Sequence, residues 1–210
     1  MGVNFTRHAL APRPGLDGEP TFTPDGRYVI FASDRDAPRS ALETHSLVDL
    51  YAMKPDGTGV VRLTRDYGYD GSPQVTPDGR QVLFQSDRKQ AGRFDLYIAT
   101  LVYDGRNNLV GAGPPARVTV HGDAASPTLH PSGAPVIYVA QRDKRRRIGN
   151  AELRQARIDG RHDLRLTFHP AADESPRFTA DGTHVLFSSR RTPDGSRQVF
   201  IARYHRPRRT

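Results

Sequence analysis

The chain has 210 residues, enough for one large domain or two small ones with a proper core, and its net charge of +8 points towards acidic partners, anionic surfaces or simple solubility. With no cysteine, disulfides and thiolate metal sites are excluded, while the compartment stays open. Its 19 Gly and 17 Pro suit many short strands joined by tight turns, and no apolar run has the length of a signal peptide or a bilayer span.

Residues 1–16 hold a short strand-like piece, Val3-Asn4-Phe5-Thr6, and a proline-rich connector. From residue 17 the chain writes one pattern four times. Its first copy is TFTPDGRYVIFASDRD at 21–36. The others are QVTPDGRQVLFQSDRK (74–89), TLHPSGAPVIYVAQRD (128–143) and RFTADGTHVLFSSRRT (177–192). Each follows a proline, Pro20, Pro73, Pro127 or Pro176, at spacings of 53, 54 and 49 residues. A period near fifty marks a repeat architecture. Within a repeat, a short strand enters a Pro-Asp-Gly turn, in which proline fixes φ and glycine accepts positive φ. A β-branched and aromatic run such as Tyr28–Ala32 makes the second strand. A polar loop leads to a third strand (Leu50–Met53) and a turn to a fourth (Val60–Thr64). In the second repeat a glycine-rich loop, Tyr103 to Pro115, joins the third and fourth strands.

The expected fold is all-β: a propeller of four blades, each a four-stranded antiparallel sheet, in repeats of about 17–64, 70–120, 123–167 and 173–203. Repeats one to three end in VRLTR, ARVTV and LRLTF, and repeat four has no such strand. Val3–Thr6 has the corresponding pattern, so an N-terminal strand completing the last blade is expected to close the ring. The alternative is a piece of a longer propeller.

The block D-x-x-P-x-[WF]-[ST]-P-D-G-[KR]-x-[IV]-x-F-x-S-D-R, followed by D-[IL]-Y and R-L-T, resembles the TolB-type β-propeller repeat. Residues 17–35 with Asp49-Leu50-Tyr51, and 70–88 with Asp95-Leu96-Tyr97, carry it most fully. The resemblance is specific for the fold and says little of function; a non-catalytic platform recognising a protein or peptide on the loop face around the axis is the expected role, and the family analogy implies a periplasmic setting if a leader was removed, otherwise a cytoplasmic one. TolB-type propellers of peptidases precede a catalytic domain, and no G-x-S-x-G elbow occurs here, so serine hydrolysis is not expected.

Residues just before the inner-strand prolines should gather around one channel mouth: Asp17, Glu19, Asp70, Asp123, Asp173 and Glu174. Such oxygens would suit an axial Ca²⁺. Otherwise each aspartate bonds its own turn and no cofactor is held. His121, His130 and His169 are weak metal candidates, since no H-x-x-x-H spacing supports them. Oligogalacturonate lyases use similar propellers with a histidine-rich metal site, which makes a metal-assisted lyase or hydrolase acting on a glycan the enzymatic alternative. The recurring Ser-Asp-Arg reads as an architectural pair. His45 in the long loop 36–48, with Arg142, Arg145 and Arg146, would give the acidic centre a basic rim. No aromatic stripe accompanies the basic run, so nucleic acid is not an expected partner. A third possibility is an architectural, self-assembling module, the oligomeric state being open. Charge reversal of Asp70 and Asp173 is expected to impair binding and spare the fold.

Overall fold

The computed structural model describes residues 9, 10, 12–38, 47–119, 123–141 and 151–205. These form four small antiparallel sheets arranged as a four-bladed β-propeller, with no helix among the described residues. Blade 1 is β1 (Asp17–Phe22), β2 (Val29–Ser33), β3 (Asp49–Met53) and β4 (Val61–Arg62). Blade 2 is β5 (Asp70–Val75), β6 (Gln81–Ser86), β7 (Asp95–Tyr103), β8 (Leu109–Ala112) and β9 (Ala116–Arg117). Blade 3 is β10 (Ala124–Leu129), β11 (Val136–Gln141), β12 (Ala151–Ala156) and β13 (Leu164–Arg165). Blade 4 is β14 (Asp173–Phe178), β15 (His184–Ser189) and β16 (Gln198–Arg203).

Alternation along each strand sends side chains to the two faces of the blade, where neighbouring blades meet them. Ile30, Leu50 and Ala52 of blade 1 pack on Val82, Phe84 and Tyr97 of blade 2. Leu83, Leu96 and Ile98 pack on Val136 and Tyr138, and Ile137, Val139 and Leu153 on Val185 and Phe187. The inner strands touch in the order β1, β5, β10, β14, and no comparable contact returns from β14 to β1 among the described residues. The expected closing strand, residues 3–6, lies outside the described residues.

The blade 2 connector departs from the expected loop. Strand β7 runs on to Tyr103, and β8 pairs with its extension through Leu101↔Ala112 and Val102↔Gly111. The hairpin reaches back over blade 1, where the buried Leu109 N–H donates to the Tyr28 hydroxyl at 3.0 Å. That contact removes apolar surface and satisfies a buried donor together, so the segment orders despite its glycines.

In blades 1, 2 and 4 the turns β1–β2, β5–β6 and β14–β15 share one construction. The hydroxyls of Thr23, Thr76 and Thr179 donate to Asp25, Asp78 and Asp181 at 2.6 Å, and each carboxylate also accepts a backbone N–H across the turn. The threonine bond is the main reason all three carboxyls sit below the usual range, Asp181 at about 2. A carboxyl depressed in the folded state contributes stability that is fully present above its unfolded pKa, about 3.9. That contribution disappears as pH falls towards the folded value. Urea titrations should therefore show stability falling between about pH 4 and pH 2. The triple variant D25N/D78N/D181N should show a flatter profile over that window.

Candidate functional site

Each inner strand carries one extra residue relative to its neighbour, a bulge that falls at the proline. The residue before each proline is left-handed though not glycine: Glu19 (φ 53), Ser72 (φ 50), Ser126 (φ 49) and Ser175 (φ 53). Four equivalent distortions around one axis cost of order 1–3 kcal/mol each and persist because the surrounding sheet over-determines them. They shape the wall of the axis.

Three of the expected acidic residues are held by their own blades. Arg35, Arg88 and Arg191 pair with Asp17, Asp70 and Asp173 at 3.2, 2.7 and 2.7 Å. Each guanidinium also covers a ring pair: Phe31 and Tyr51, Phe84 and Tyr97, Phe187 and Phe200, at 4.8–5.3 Å from the centroids. The recurring Ser-Asp-Arg is thus architectural, its arginine joining inner strand to outer sheet. Asp173 is wholly buried. Asp123 stands one place outside this set. Ala124 occupies the register of Asp70, pairing with Ala140 as Asp70 pairs with Ser86, while Asp123 lies 3.5 Å from Arg93. Glu19 reaches the next blade, accepting from the Tyr69 hydroxyl at 2.9 Å and the Ser72 N–H at 2.5 Å. Burial, and then that bond, push the Tyr69 hydroxyl up. Glu174 pairs with Arg197 at 2.7 Å.

His130 stands where the other turns have threonine. Its Nδ1 accepts the Ser132 N–H at 3.0 Å and its Nε2 faces the Gly182 carbonyl at 3.3 Å, so the ring ties blade 3 to blade 4. Phe178 and Tyr204 flank it at 4.9 and 5.8 Å between centroids. His169 Nδ1 accepts the Ala171 N–H in an exposed connection. His45, His121, Arg142, Arg145 and Arg146 lie outside the described residues. Among the described residues, no group of three or more His, Asp or Glu side chains is placed to hold a metal ion, an axial Ca²⁺ included.

The structure adds a feature that the repeat comparison passed over. One residue beyond each proline, Thr21, Gln74, Thr128 and Arg177 line an axial cavity of about 430 Å³ walled by Pro20 and Pro73. The Gln74 amide spans two blades, donating to the Pro127 carbonyl at 2.6 Å and accepting the Leu129 N–H at 2.8 Å. Arg177 donates to that carbonyl at 3.3 Å and is otherwise exposed, with no carboxylate bonded to it among the described residues. Four hits on one offset from a repeated proline were the available signal. A second cavity of about 460 Å³ on the loop face is lined by Asp36, Asp49, Arg62, Arg65, Asp66 and Tyr67. Burial raises the Asp49 carboxyl against the opposing pull of Arg62, 2.5 Å away.

No family model matches the chain. The Tol-Pal system protein TolB of Francisella tularensis strain WY96-3418 is 21% identical over 180 residues, which are 86% of this chain and 37% of that protein. The crystal structure of TolB from Acinetobacter baumannii superposes with a TM-score of 0.63 at 27% identity, covering 94% of this chain and 46% of that one. The structure of a TolB from Agrobacterium tumefaciens, described as putative, gives 0.66 at 19% identity, covering 93% and 61%. The fold is that of a TolB-like β-propeller. An oligogalacturonate lyase in complex with manganese shares the fold at a TM-score of 0.57 and 18% identity, over 90% of this chain and 48% of its own. The TolB-like propeller thus spans little more than a third of its curated TolB relative, and no helix among its described residues is long and apolar enough to cross a membrane.

Two neighbouring acids separate structure from surface. Asp173→Asn strips the partner from Arg191 in a buried pair and should cost about 3 kcal/mol in urea unfolding. Glu174→Gln removes a half-exposed pair and should cost less than about 1 kcal/mol. Charge reversal at Asp70 or Asp173 therefore reports on stability before it reports on binding.

Proposed function

We propose that this TolB-like propeller is a non-catalytic platform that recognises a protein or peptide around its axis. The axial cavity carries the reading. It has the volume of a ligand pocket, rigid proline walls and polar side chains from all four blades, His130 of blade 3 among them, the arrangement expected of a preformed recognition site. Arg177 supplies its charge. A guanidinium bonded only to a carbonyl favours a carboxylate, because a bidentate charge-assisted pair would satisfy its remaining donors. An acidic segment, its aspartate or glutamate entering the axis, is the partner chemistry that also matches the chain's positive charge. The likeness to TolB proteins of the Tol-Pal system supports a protein partner, and a periplasmic setting goes with it.

The enzymatic alternative, metal-assisted cleavage of a glycan, draws on the fold shared with a manganese-bound lyase. Against it, His130 is committed to a turn and a blade joint.

Decapeptide arrays that differ only in Asp or Glu content should separate these readings. Acidic peptides are expected to bind, and Arg177→Glu to weaken them by about a hundredfold, the loss of roughly 3 kcal/mol from a charge-assisted pair. Equal retention of acidic and neutral peptides would sink the axial reading. A rise in Tm with Mn²⁺, coupled to turnover of oligogalacturonate, would favour the lyase.

A further inference from the structure

The second cavity, about 460 Å³ on the loop face, shares no lining residue with the axial one. Its lining includes residues 65–67, from the connection between β4 and β5, and residues 36–38 and 47, from the loop between β2 and β3. The connection is held by its own backbone. The Asp66 N–H donates to Asp49 at 3.3 Å, the Tyr67 N–H to Asp66 at 2.8 Å, and the Gly68 carbonyl accepts the Val48 N–H at 3.0 Å. Gly68 has a φ of 119, and a Cβ there would come 2.3 Å from the Asp87 carboxylate, so this turn requires glycine.

On this ordered backbone, two large side chains are turned over to solvent. Tyr67 is 86% exposed, and neither its ring nor its hydroxyl is engaged among the described residues. Arg65 is exposed, with no carboxylate bonded to it among the described residues. The corresponding connection from blade 3 to blade 4 reads Phe168-His169-Pro170 and has neither side chain. The pair is therefore no part of the repeated architecture. A fixed loop that presents unengaged side chains beside a cavity is the build of a recognition loop, and the cavity has the volume of a small-molecule site.

The chemistry of the lining narrows the ligand. Half-exposed Asp36 uses one oxygen, Oδ2, for both the Tyr51 hydroxyl at 2.8 Å and Arg62 at 3.4 Å, which leaves Oδ1 as a spare acceptor. Asp66 accepts the Tyr67 N–H on Oδ1 and lies 3.3 Å from Arg88 through Oδ2, so lone pairs remain on it too. Arg65 brings the donors. Two arginines and three aspartates line the cavity, with Arg88 behind Asp66, and no strong field of one sign favours an ion. A neutral molecule rich in hydroxyls answers all of these groups, because each hydroxyl donates to a carboxylate and accepts from a guanidinium. A sugar ring adds an apolar face, whose weakly positive C–H hydrogens suit the negative face of an aromatic ring. We propose that this cavity binds a neutral pyranose, with Tyr67 as its platform and Asp36, Asp66 and Arg65 as its hydrogen-bonding partners. The site is independent of peptide recognition at the axis.

Saturation-transfer NMR with glucose, galactose and mannose, and with a linear trisaccharide of each, tests the assignment. Transfer to at least one of these sugars at millimolar concentration is expected. Tyr67→Ala should weaken that sugar about tenfold, the upper end of an aromatic contact, and Asp36→Asn by about as much. Both positions are open to solvent, so the thermal melts of the two variants should match the wild type. Arg177→Glu should leave sugar binding unchanged, which keeps this site distinct from the axis. Absence of transfer to every one of these sugars overturns the proposal, and so does a Tyr67→Ala variant that binds as the wild type does. Tighter binding of galacturonate than of galactose overturns it as well, since the cavity would then be an anion site built on Arg65.

Discussion

The propeller depends on one repeated interaction, an arginine lying flat on two aromatic rings while its end grips an aspartate of the innermost strand, buried in blades 2 and 4 and exposed in blade 1. Arg88 covers Phe84 and Tyr97 and holds Asp70; Arg35 and Arg191 do the same in their blades. The aspartate belongs to the innermost strand and the rings to the second and third, so one side chain joins three strands. Only a guanidinium has the planar faces to stack and the fork to bind a carboxylate at once. Burying the aspartate would otherwise cost several kcal/mol, and the arginine offsets that cost while the rings shield the pair from water.

This use of charge explains why the chemistry of the axis differs from what the acidic positions suggested. Aspartates at a channel mouth invite a cation, but these already have one, supplied covalently. The proposed recognition site uses the layer below, where the residues after the prolines line the cavity. There the repeats diverge, into Thr21, Gln74, Thr128 and Arg177. Positions that hold the blade together repeat; positions facing the axis differ.

The architecture was legible because it rests on local chemistry repeated along the chain: a turn with glycine at the same place in all four repeats, Pro-Asp-Gly in two of them, second strands of β-branched and aromatic residues, and a proline at each bulge. The role of Ser-Asp-Arg was legible for the same reason. Other features depend on contacts between distant residues and were not. Leu109 meeting Tyr28 turns an apparent loop into a strand pair. The third repeat has Ala124, not Asp123, three places before its proline, an offset already readable in the sequence and matched by the pairing with Ala140. Arg177 looked like any strand arginine until the structure placed it in a cavity shared with three other blades.

Each joint between blades is fastened by a different pair of groups: Glu19 to Tyr69 and Ser72, Gln74 to the backbone of β10, His130 to Gly182. Four near-copies of one sheet could otherwise stack in the wrong sequence during folding, since every apolar face fits every other about equally well. A carboxylate, a carboxamide and an imidazole, each answered by one neighbour, act as addresses. They oppose blade skipping and pairing between blades of different chains, a form of specificity that contributes little to total stability and decides which of several similar assemblies the chain completes.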